Sequence, residues 1–344
     1  MQRHANTLFL AGFDVLLVGR VKKDSIQLRN ENYSQKRLSC FFEKGKWFYL
    51  EYNLRLLWFL MFVKTDIHVA IDLDTILPNT IVARLKGIKL VFDAHEYFTE
   101  VPELEGRRIT KAIWQLFANT CIPLADKCYT VGPVLAELFT KQYQTIFTTI
   151  MNVPVLSEEN LQKETPQKII LYQGALNDGR GLTQLIKVMN FLEAELWIAG
   201  EGDLSKKLRE QVSEMKIQSK VKFLGFVEPK ELPALTKKAY IGCNILEAKG
   251  LSYQYSLANK FFDYMHAGIP QICANFLEYQ KFNERFPVAV LTDCSEQALI
   301  VNINKLLKDN KLYQNLQNNC LKAAQAYNLQ IESVKLVEIY KSLH

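Results

Sequence analysis

Short apolar runs alternate with helical patterns along most of the chain. The runs are continuous rather than alternating, which is typical of strands covered on both faces of a sheet. Strands that alternate with helices predict βαβ units and parallel sheets. The predicted strands span residues 14–18, 67–71, 89–93, 127–131, 168–172, 195–199, 220–224, 239–246 and 270–274, and the helices between them include 78–86, 110–121, 132–142, 182–191, 203–215 and 256–267.

The strand–helix rhythm breaks once, in the polar stretch that ends near residue 167. The pattern therefore predicts an α/β protein of two Rossmann-like, doubly wound domains, residues 1–155 and 156–329. We expect the two domains to face each other across a cleft lined by the carboxyl ends of their strands, since ligands bind at those ends.

The first domain begins unusually. Residues 2–11 already have a helical pattern, Gly12 ends it, and the next strand follows directly. A doubly wound domain normally opens with a strand and a glycine-rich turn, so we expect that the first strand and its loop are missing from this sequence.

Composition excludes a disordered or fibrous chain, because 49% of the 344 residues are hydrophobic and 23% are charged. The net charge is +6, and the first 64 residues hold all of that excess, with 11 Lys and Arg against 5 Asp and Glu. Seven cysteines without a C-x-x-C pair predict reduced core thiols in a cytoplasmic protein. The amino end also lacks the apolar region of a signal peptide.

The most apolar stretch, residues 47–63, permits two interpretations. Its uninterrupted run, residues 56–63, is too short to span a bilayer. The simpler interpretation is a buried, aromatic-rich helix. The alternative is a helix whose Trp and Phe side chains touch lipid while nearby Lys and Arg lie beside head groups, which would make the protein peripheral to the inner face of the membrane.

Two glycine-rich turns follow strands in the second domain. The first contains Gly174, Gly179 and Gly181, with Arg180 at the entry of the next helix. Glycines allow close backbone approach, and the amino end of a helix attracts anions, so a diphosphate would suit this turn. The second turn runs from Gly200 through Glu201 to Gly202, with Asp203 as the expected N-cap of the following helix.

The stretch from Gly250 to Pro270 gives the most specific pattern. Ser256 is a plausible N-cap and Gly268 a plausible stop for one helix. On that helix Ser256, Lys260 and Asp263 share one stripe, with Asn259 beside it, and the apolar residues lie opposite. Lys260 could neutralise a phosphate and Asp263 could accept hydrogen bonds from a ribose, although a local Asn259–Asp263 pair would also fit.

Polar residues also follow strands in the first domain. His95 and Glu96 come after the strand that ends at Asp93, and Asp72 and Asp74 follow the preceding strand. This placement favours ligand contacts at the sheet edge. Metal binding by these acids is a weaker interpretation, because no metal-ligand spacing such as H-E-x-x-H supports it.

In their order and spacing these motifs resemble family 4 of the glycosyltransferases, enzymes of the two-Rossmann-domain GT-B fold. The resemblance covers nearly the whole chain. The residues that carry it are Gly174, the run from Asn177 to Gly181, Gly200 to Gly202, Phe223 to Val227, Ser256 to Tyr264 with Ala267 to Pro270, and, in the first half, Gly12 to Val15 and Asp93 to Glu96.

The resemblance implies sugar transfer from a nucleotide diphosphate sugar with retention of configuration, without a metal or other cofactor. Residues Asn328 to His344 have the pattern of a final helix, and the resemblance implies that this helix crosses back so that residues 330–344 complete the first domain. The implied catalytic residues are His95, Arg180 and Lys260. The implied donor-binding residues are Gly174, Gly179, Gly181, Gly200, Glu201, Phe226, Val227, Ser256, Leu257, Asn259 and Asp263, and the acceptor-side residues are Asp72, Asp74 and Glu96.

Two positions depart from the family pattern: Tyr255 replaces the first Glu of its E-x7-E motif, and Ala175 replaces an Arg that binds phosphate. Three functions are therefore weighed. The leading one is a metal-independent hexosyltransferase acting on a glycan or lipid-linked acceptor in surface polysaccharide or glycolipid synthesis. The others are an inactive nucleotide-sugar binding protein and a nucleotide-sugar 2-epimerase. No nucleic acid is expected among the partners.

Overall fold

The computed structural model describes residues 1–23, 25, 27–157 and 167–343. The chain divides into two compact units, the first made of residues 1–151 and 331–344 and the second of residues 152–330. The division falls four residues before the boundary expected at 155, because the segment after Met151 pairs with residues of the second unit. Leu329 donates its N–H to Pro154 O at 2.9 Å, and Leu156 donates its N–H to Gln330 Oε1 at 3.0 Å.

The first unit contains two parallel sheets. A four-stranded sheet has the order β3-β4-β5-β6, and β1 pairs with β2 in a separate two-stranded sheet. The strands are β1 (Leu16–Arg20), β2 (Ser34–Leu38), β3 (Ile67–Ile71), β4 (Lys89–Ala94), β5 (Lys127–Thr130) and β6 (Phe147–Thr149), and the helices are α1 (Gln2–Leu10), α2 (Gly45–Phe62), α3 (Ile76–Lys86), α4 (Arg108–Cys121) and α5 (Pro133–Tyr143).

The second unit is built on one parallel sheet of the order β12-β11-β10-β7-β8-β9. Its elements are β7 (Ile169–Gln173), α6 (Leu182–Val188), β8 (Glu195–Ala199), α7 (Ser205–Glu214), β9 (Val221–Gly225), α8 (Leu232–Thr236), β10 (Ile241–Asn244), α9 (Gly250–Gln254), α10 (Asn259–His266), β11 (Gln271–Ala274), α11 (Leu277–Arg285), β12 (Ala289–Thr292), α12 (Glu296–Lys308) and α13 (Asn310–Ala326).

Both faces of this second sheet are covered. Ile170 and Ile198 pack into a large core on one face, and Leu171 packs with Tyr264 and Ile269 on the other. The strand order runs outward in both directions from β7, so the chain reverses its winding between β7 and β10. Such a reversal opens a crevice at the carboxyl ends of the two central strands, which is where doubly wound folds bind ligands.

The last helix, α14 (Leu329–Lys341), belongs largely to the first unit. Leu336 and Tyr340 are buried there in a core with Leu8, Val91 and Tyr129. Glu332 is also buried, and its Oε2 accepts the N–H of Met151 at 2.8 Å. The end of the chain therefore completes the core of the first unit, as the resemblance implied.

Three strands were absent from the sequence-based prediction. The sequence of Ser34–Leu38 is mostly polar. This strand pairs with β1 alone, and its side chains are therefore at least partly exposed. Phe147–Thr149 and Ala289–Thr292 are short strands at sheet edges, where a single neighbour sets the pattern.

Two predicted helix caps are also wrong. The helix expected from Ser256 begins at Asn259, and the Ser256 hydroxyl donates to Tyr253 O at 2.8 Å instead of capping it. The helix expected from Asp203 begins at Ser205, so Asp203 lies outside its N-cap.

Shortening Leu336 to Ala should destabilise the first unit by about 2–5 kcal/mol, because it leaves a cavity in a close-packed core. Leu336 is 1% exposed, whereas Val334 on the same helix is 58% exposed and supplies the matched control. Urea unfolding of both variants checks this. Equal stability of Leu336→Ala and Val334→Ala would contradict the packing of the last helix.

Candidate functional site

The turn after β7 lies at the reversal point of the second sheet. Gly174 follows the strand with a φ of +132°, and its N–H donates to Ala199 O at 2.9 Å. A Cβ on Gly200, which has a φ of +144°, would collide with the Gly174 carbonyl. The two glycine turns predicted from the sequence therefore touch backbone to backbone, and a side chain on Gly200 would separate them.

Lys260 lies directly over this turn. Phe261, Phe262 and Met265 of α10 are buried, and both Phe rings pack against Phe282 of α11, which fixes the helix in place. The Lys260 Nζ lies 3.8 Å from the centre of the Tyr172 ring. A Cβ at Gly174 would come within 3.4 Å of the same Nζ, so glycine keeps the space around the ammonium open.

Burial shifts the ionisation of Lys260. The side chain is only 9% exposed, and this burial lowers its pKa to about 7, with the positive charge of Arg180 acting in the same direction. The charge of Asp263 acts in the opposite direction but does not outweigh burial. A cation held in such surroundings is costly. An anionic ligand would remove that cost.

Arg180 is the second cation of the site. Its guanidinium lies 5.0 Å from the centre of the Tyr253 ring, and its buried Nε has no hydrogen-bond partner among the described residues. A Cβ on Gly179 would come within 2.8 Å of the Tyr253 ring, so glycine there allows this stacking. Within the part of the chain that the structure describes, neither Arg180 nor Lys260 forms an ion pair with a carboxylate.

Asp263 is held by a chain of hydrogen bonds. Gln173 donates from Nε2 to Asp263 Oδ2 at 2.9 Å, and Thr236 donates from Oγ1 to Gln173 Oε1 at 2.8 Å. The Gln173 N–H also donates to Tyr264 Oη at 3.2 Å. The structure thus orients the carboxylate from the sheet. Asn259 Oδ1 accepts from Asn152 at 2.9 Å, so this side chain also has a partner outside its own helix.

The remaining predicted donor-binding residues differ in their surroundings. Glu201 pairs with Arg209 at 2.8 Å at the surface, so its carboxylate is occupied. Phe226 is 70% exposed beyond the end of β9, while Val227 packs against a small core. Leu257 is buried, and a Cβ on Gly181 would press on Ile245. The structure therefore brings Gly174, Arg180, Lys260 and Asp263 together around one turn.

Two of the predicted residues of the first unit, His95 and Asp72, lie near a buried carboxylate, whereas the charge that acts on Asp74 is that of Arg20. Asp93 is 1% exposed and lies between two imidazoles, with His95 Nε2 at 3.2 Å and His4 Nδ1 at 3.4 Å. The main-chain N–H of His95 donates to Asp72 Oδ1 at 2.7 Å. Asp72 has a φ of +56°, a left-handed conformation that is uncommon for a residue with a side chain.

The surroundings raise the pKa values of His95, Asp72 and Asp74. Burial lowers the pKa of His95, but the contact with Asp93 and the charges of Asp93 and Asp72 outweigh it and leave the pKa raised. Burial raises the pKa of Asp72 to about 7 and that of Asp74 to about 6. Glu96 is exposed. A histidine with a raised pKa next to a carboxyl group with a pKa of about 7 is an arrangement suited to binding and moving protons.

Sequence reasoning missed four residues that support these sites. The pattern predicts Tyr172 only as the end of a strand and Gln173 only as the start of the glycine-rich turn, and it indicates no role for Thr236. His4 was taken as part of a first helix without a role. A buried glutamine that ends a strand next to a glycine turn is the one local signal that could have pointed to Gln173.

Comparison with known proteins gives a family match for the second half of the chain. Residues 156–323, which are 168 of the 344 residues, match the family described as glycosyl transferases group 1. This segment contains the turn, both cations and Asp263. No curated protein matches the sequence.

Solved structures resemble the chain over most of its length. Sucrose-phosphate synthase from Thermosynechococcus elongatus has a TM-score of 0.80 at 15% identity, covering 99% of this chain and 92% of that one. WaaG, a glycosyltransferase involved in lipopolysaccharide biosynthesis, has a TM-score of 0.75 at 15% identity, with coverage of 98% and 94%. HepE from Anabaena, solved with UDP and glucose, has a TM-score of 0.72 at 16% identity, with coverage of 90% and 86%.

These likenesses confirm the expected fold of two Rossmann-like domains with parallel sheets, shared with GT-B glycosyltransferases. The family match supports a glycosyltransferase and falls on the unit that holds the two cations.

Replacing Lys260 with Met should stabilise the protein most at low pH. In the unfolded chain the lysine stays charged up to its ordinary pKa of 10.5, whereas in the folded chain it loses its proton at about 7. The cost of the buried charge is therefore complete below pH 7 and disappears as the pH rises towards 10.5. We expect a melting temperature roughly 2–4 °C higher than wild type at pH 6, and a smaller difference at pH 9.

Thermal unfolding at pH 6 and pH 9 measures this difference. Lys187→Met, which changes an exposed lysine of the same unit, is the control. A stabilisation by Lys260→Met that is equal at both pH values would show that the ammonium is not desolvated.

Replacing Gln173 with Met keeps the volume and removes both amide hydrogen bonds. The change leaves Asp263 Oδ2 without this donor, so we expect the free energy of unfolding to fall by about 1–3 kcal/mol. Urea unfolding measures it, with the exposed Gln218→Met as control. If the two variants are equally stable, the Thr236–Gln173–Asp263 chain does not hold the carboxylate.

Proposed function

We propose that the protein is a retaining glycosyltransferase. It transfers a hexosyl group from a nucleotide diphosphate sugar to a glycan or lipid-linked acceptor. The observation that carries this proposal is the pair of cations, Lys260 and Arg180, that lack a carboxylate partner among the described residues and stand at a glycine turn within the segment matching glycosyl transferases group 1.

The chemistry of transfer explains why two cations would be used. When the bond between the anomeric carbon and the diphosphate breaks, the electron pair stays on the phosphate oxygen, and the sugar becomes oxocarbenium-like. The negative charge on the departing nucleoside diphosphate is what the protein has to stabilise. Lys260 and Arg180 would supply that stabilisation from fixed positions, and Gly174 would allow the phosphate close to the backbone.

The ribose and the base of the nucleotide sugar also have candidate partners in the second unit. Asp263, oriented by Gln173, is suited to accept hydrogen bonds from the two hydroxyls of a ribose. Phe226 lies exposed at the end of β9 and offers an aromatic face to a base. UDP is the first nucleotide to try, because HepE was solved with UDP and with UDP-glucose.

The first unit would hold the sugar and the acceptor. His95, whose imidazole lies 3.2 Å from Asp93, is suited to form a hydrogen bond with a sugar hydroxyl. Asp72, Asp74 and Glu96 would lie on the acceptor side. Among the described residues there is no group of three or more His, Cys, Asp or Glu side chains placed to hold a metal ion. We expect the two cations to take the place of a metal in neutralising the diphosphate.

The acceptor is proposed from chemistry and from a relative. WaaG is described as taking part in lipopolysaccharide biosynthesis, and its fold covers 98% of this chain. We propose a related place here, the building of a cell-surface polysaccharide or glycolipid on the cytoplasmic face of the membrane.

Arg180→Ala should lower the rate of sugar transfer on the order of 100-fold, because it removes one preorganised cation from the leaving group. The matched control is Lys187→Ala, which removes an exposed lysine paired with Glu296 at 2.8 Å in the same unit. Transfer from UDP-sugars to glycolipid acceptors would be followed by release of UDP, with and without excess chelator. Equal rates for Arg180→Ala and Lys187→Ala would contradict the assignment of the site.

The same assay separates the alternatives. A product of retained anomeric configuration that forms in the presence of chelator supports the proposal. Tight binding of UDP-sugar without transfer or hydrolysis would indicate a binding protein. Conversion of the donor sugar in the absence of any acceptor would indicate a 2-epimerase.

A further inference from the structure

Helix α2 of the first unit has two apolar faces on opposite sides. Phe48, Tyr52, Leu56 and Leu60 recur every four residues and are buried. A second series, displaced by two residues and therefore by about 200° around the helix, is also apolar but exposed. Its members are Leu50, Leu54, Trp58 and Phe62.

The exposed series is large for a surface helix. Trp58 is 71% exposed and Phe62 is 69% exposed, and Trp47 and Met61 extend the same face at its two ends. Helices at the surface of a globular protein normally carry charged or polar residues on their outer side. A contiguous apolar surface of this kind marks a site of interaction.

Glu51 is the acidic residue within the described part of this helix, and the structure neutralises it. Glu51 forms an ion pair with Arg55 at 2.8 Å, and its carboxylate also accepts the N–H groups of Phe41 and Phe42 at 2.9 Å. These bonds hold the preceding loop against the helix. Phe42 consequently stacks with Trp47, with ring centres 6.3 Å apart, and Phe41 is left 86% exposed beside them.

The surroundings of the face are basic. Residues 20–64 contain 10 Lys and Arg against 4 Asp and Glu, a difference of +6 that equals the net charge of the whole chain. Lys44, Lys46 and Lys64 are exposed at the two ends of the helix. The Lys46 ammonium lies 5.5 Å from the centre of the Trp47 ring, so charge and apolar surface are adjacent.

We propose that this face, made of Phe41, Phe42, Trp47, Leu50, Leu54, Trp58, Met61 and Phe62, binds the surface of an anionic lipid bilayer. None of the helices in the described ranges has the length and apolarity needed to cross a bilayer. The helix would instead lie in the plane of the interface, with its aromatic side chains in the acyl boundary and the lysines among the head groups.

Charge and composition favour a bilayer over a second copy of the chain. Two copies meeting through this face would bring like charges together, whereas anionic head groups complement them. Tryptophan is also enriched where a protein meets the membrane interface. The inference goes beyond the donor site: it stands on the first unit alone, and it can hold or fail independently of sugar transfer.

Cosedimentation with vesicles tests the proposal. The full chain would be mixed with vesicles of phosphatidylcholine alone or of equal phosphatidylcholine and phosphatidylglycerol. We expect binding to the mixed vesicles, weakened by high salt, and a blue shift of tryptophan emission as Trp47 and Trp58 leave water. The double variant Leu54→Ser with Trp58→Ser should reduce the bound fraction at least about tenfold.

The control variant replaces two exposed apolar residues elsewhere, Ile146→Ser with Phe191→Ser, which are 80% and 67% exposed. We expect it to bind vesicles as wild type does, and both variants to retain UDP affinity and melting temperature. Absence of binding to anionic vesicles, or equal binding by the two double variants, would overturn the proposal. So would a wild-type dimer that ignores vesicles and becomes a monomer in Leu54→Ser with Trp58→Ser.

Discussion

The ammonium of Lys260, buried over the ring of Tyr172 without a carboxylate to pair with among the described residues, is the constraint around which the second unit is arranged. A protein can bury an uncompensated cation only if the surrounding packing supplies the free energy. That packing comes from α10, where Phe261, Phe262 and Met265 are removed from water. The stability of the helix is thus used to hold a charge ready for a ligand.

The same constraint explains the local backbone. Gly174 keeps the volume next to the ammonium free, and the reversal of the sheet between β7 and β10 leaves the crevice into which the turn opens. Arg180 stands in the same crevice, and its charge adds to the cost of protonating Lys260. The pair is therefore unfavourable when empty and favourable with an anion, which is how a binding site gains selectivity for charge.

Much of this could be predicted from the sequence, because it is local. The alternation of apolar runs and helical patterns gave the parallel sheets, and the spacing of Lys260 and Asp263 placed both on one side of a helix. The support of Asp263 could not be predicted, since Gln173 lies 90 residues away from it and Thr236 lies 63 residues from Gln173. Pairing at such separations is decided by how the strands and helices pack. The polar strand Ser34–Leu38 was missed for a similar reason, since its single neighbour defines it.

The contact between the two glycine turns limits what this part of the site can distinguish. Because Gly200 meets the Gly174 carbonyl without a side chain between them, the point where the two turns touch is formed by main-chain atoms alone. Under the proposed function, main-chain amides and a pair of cations would recognise a pyrophosphate whichever sugar is attached to it. Discrimination among donor sugars would then come from other surfaces, so this region could stay fixed while the sugar specificity changes.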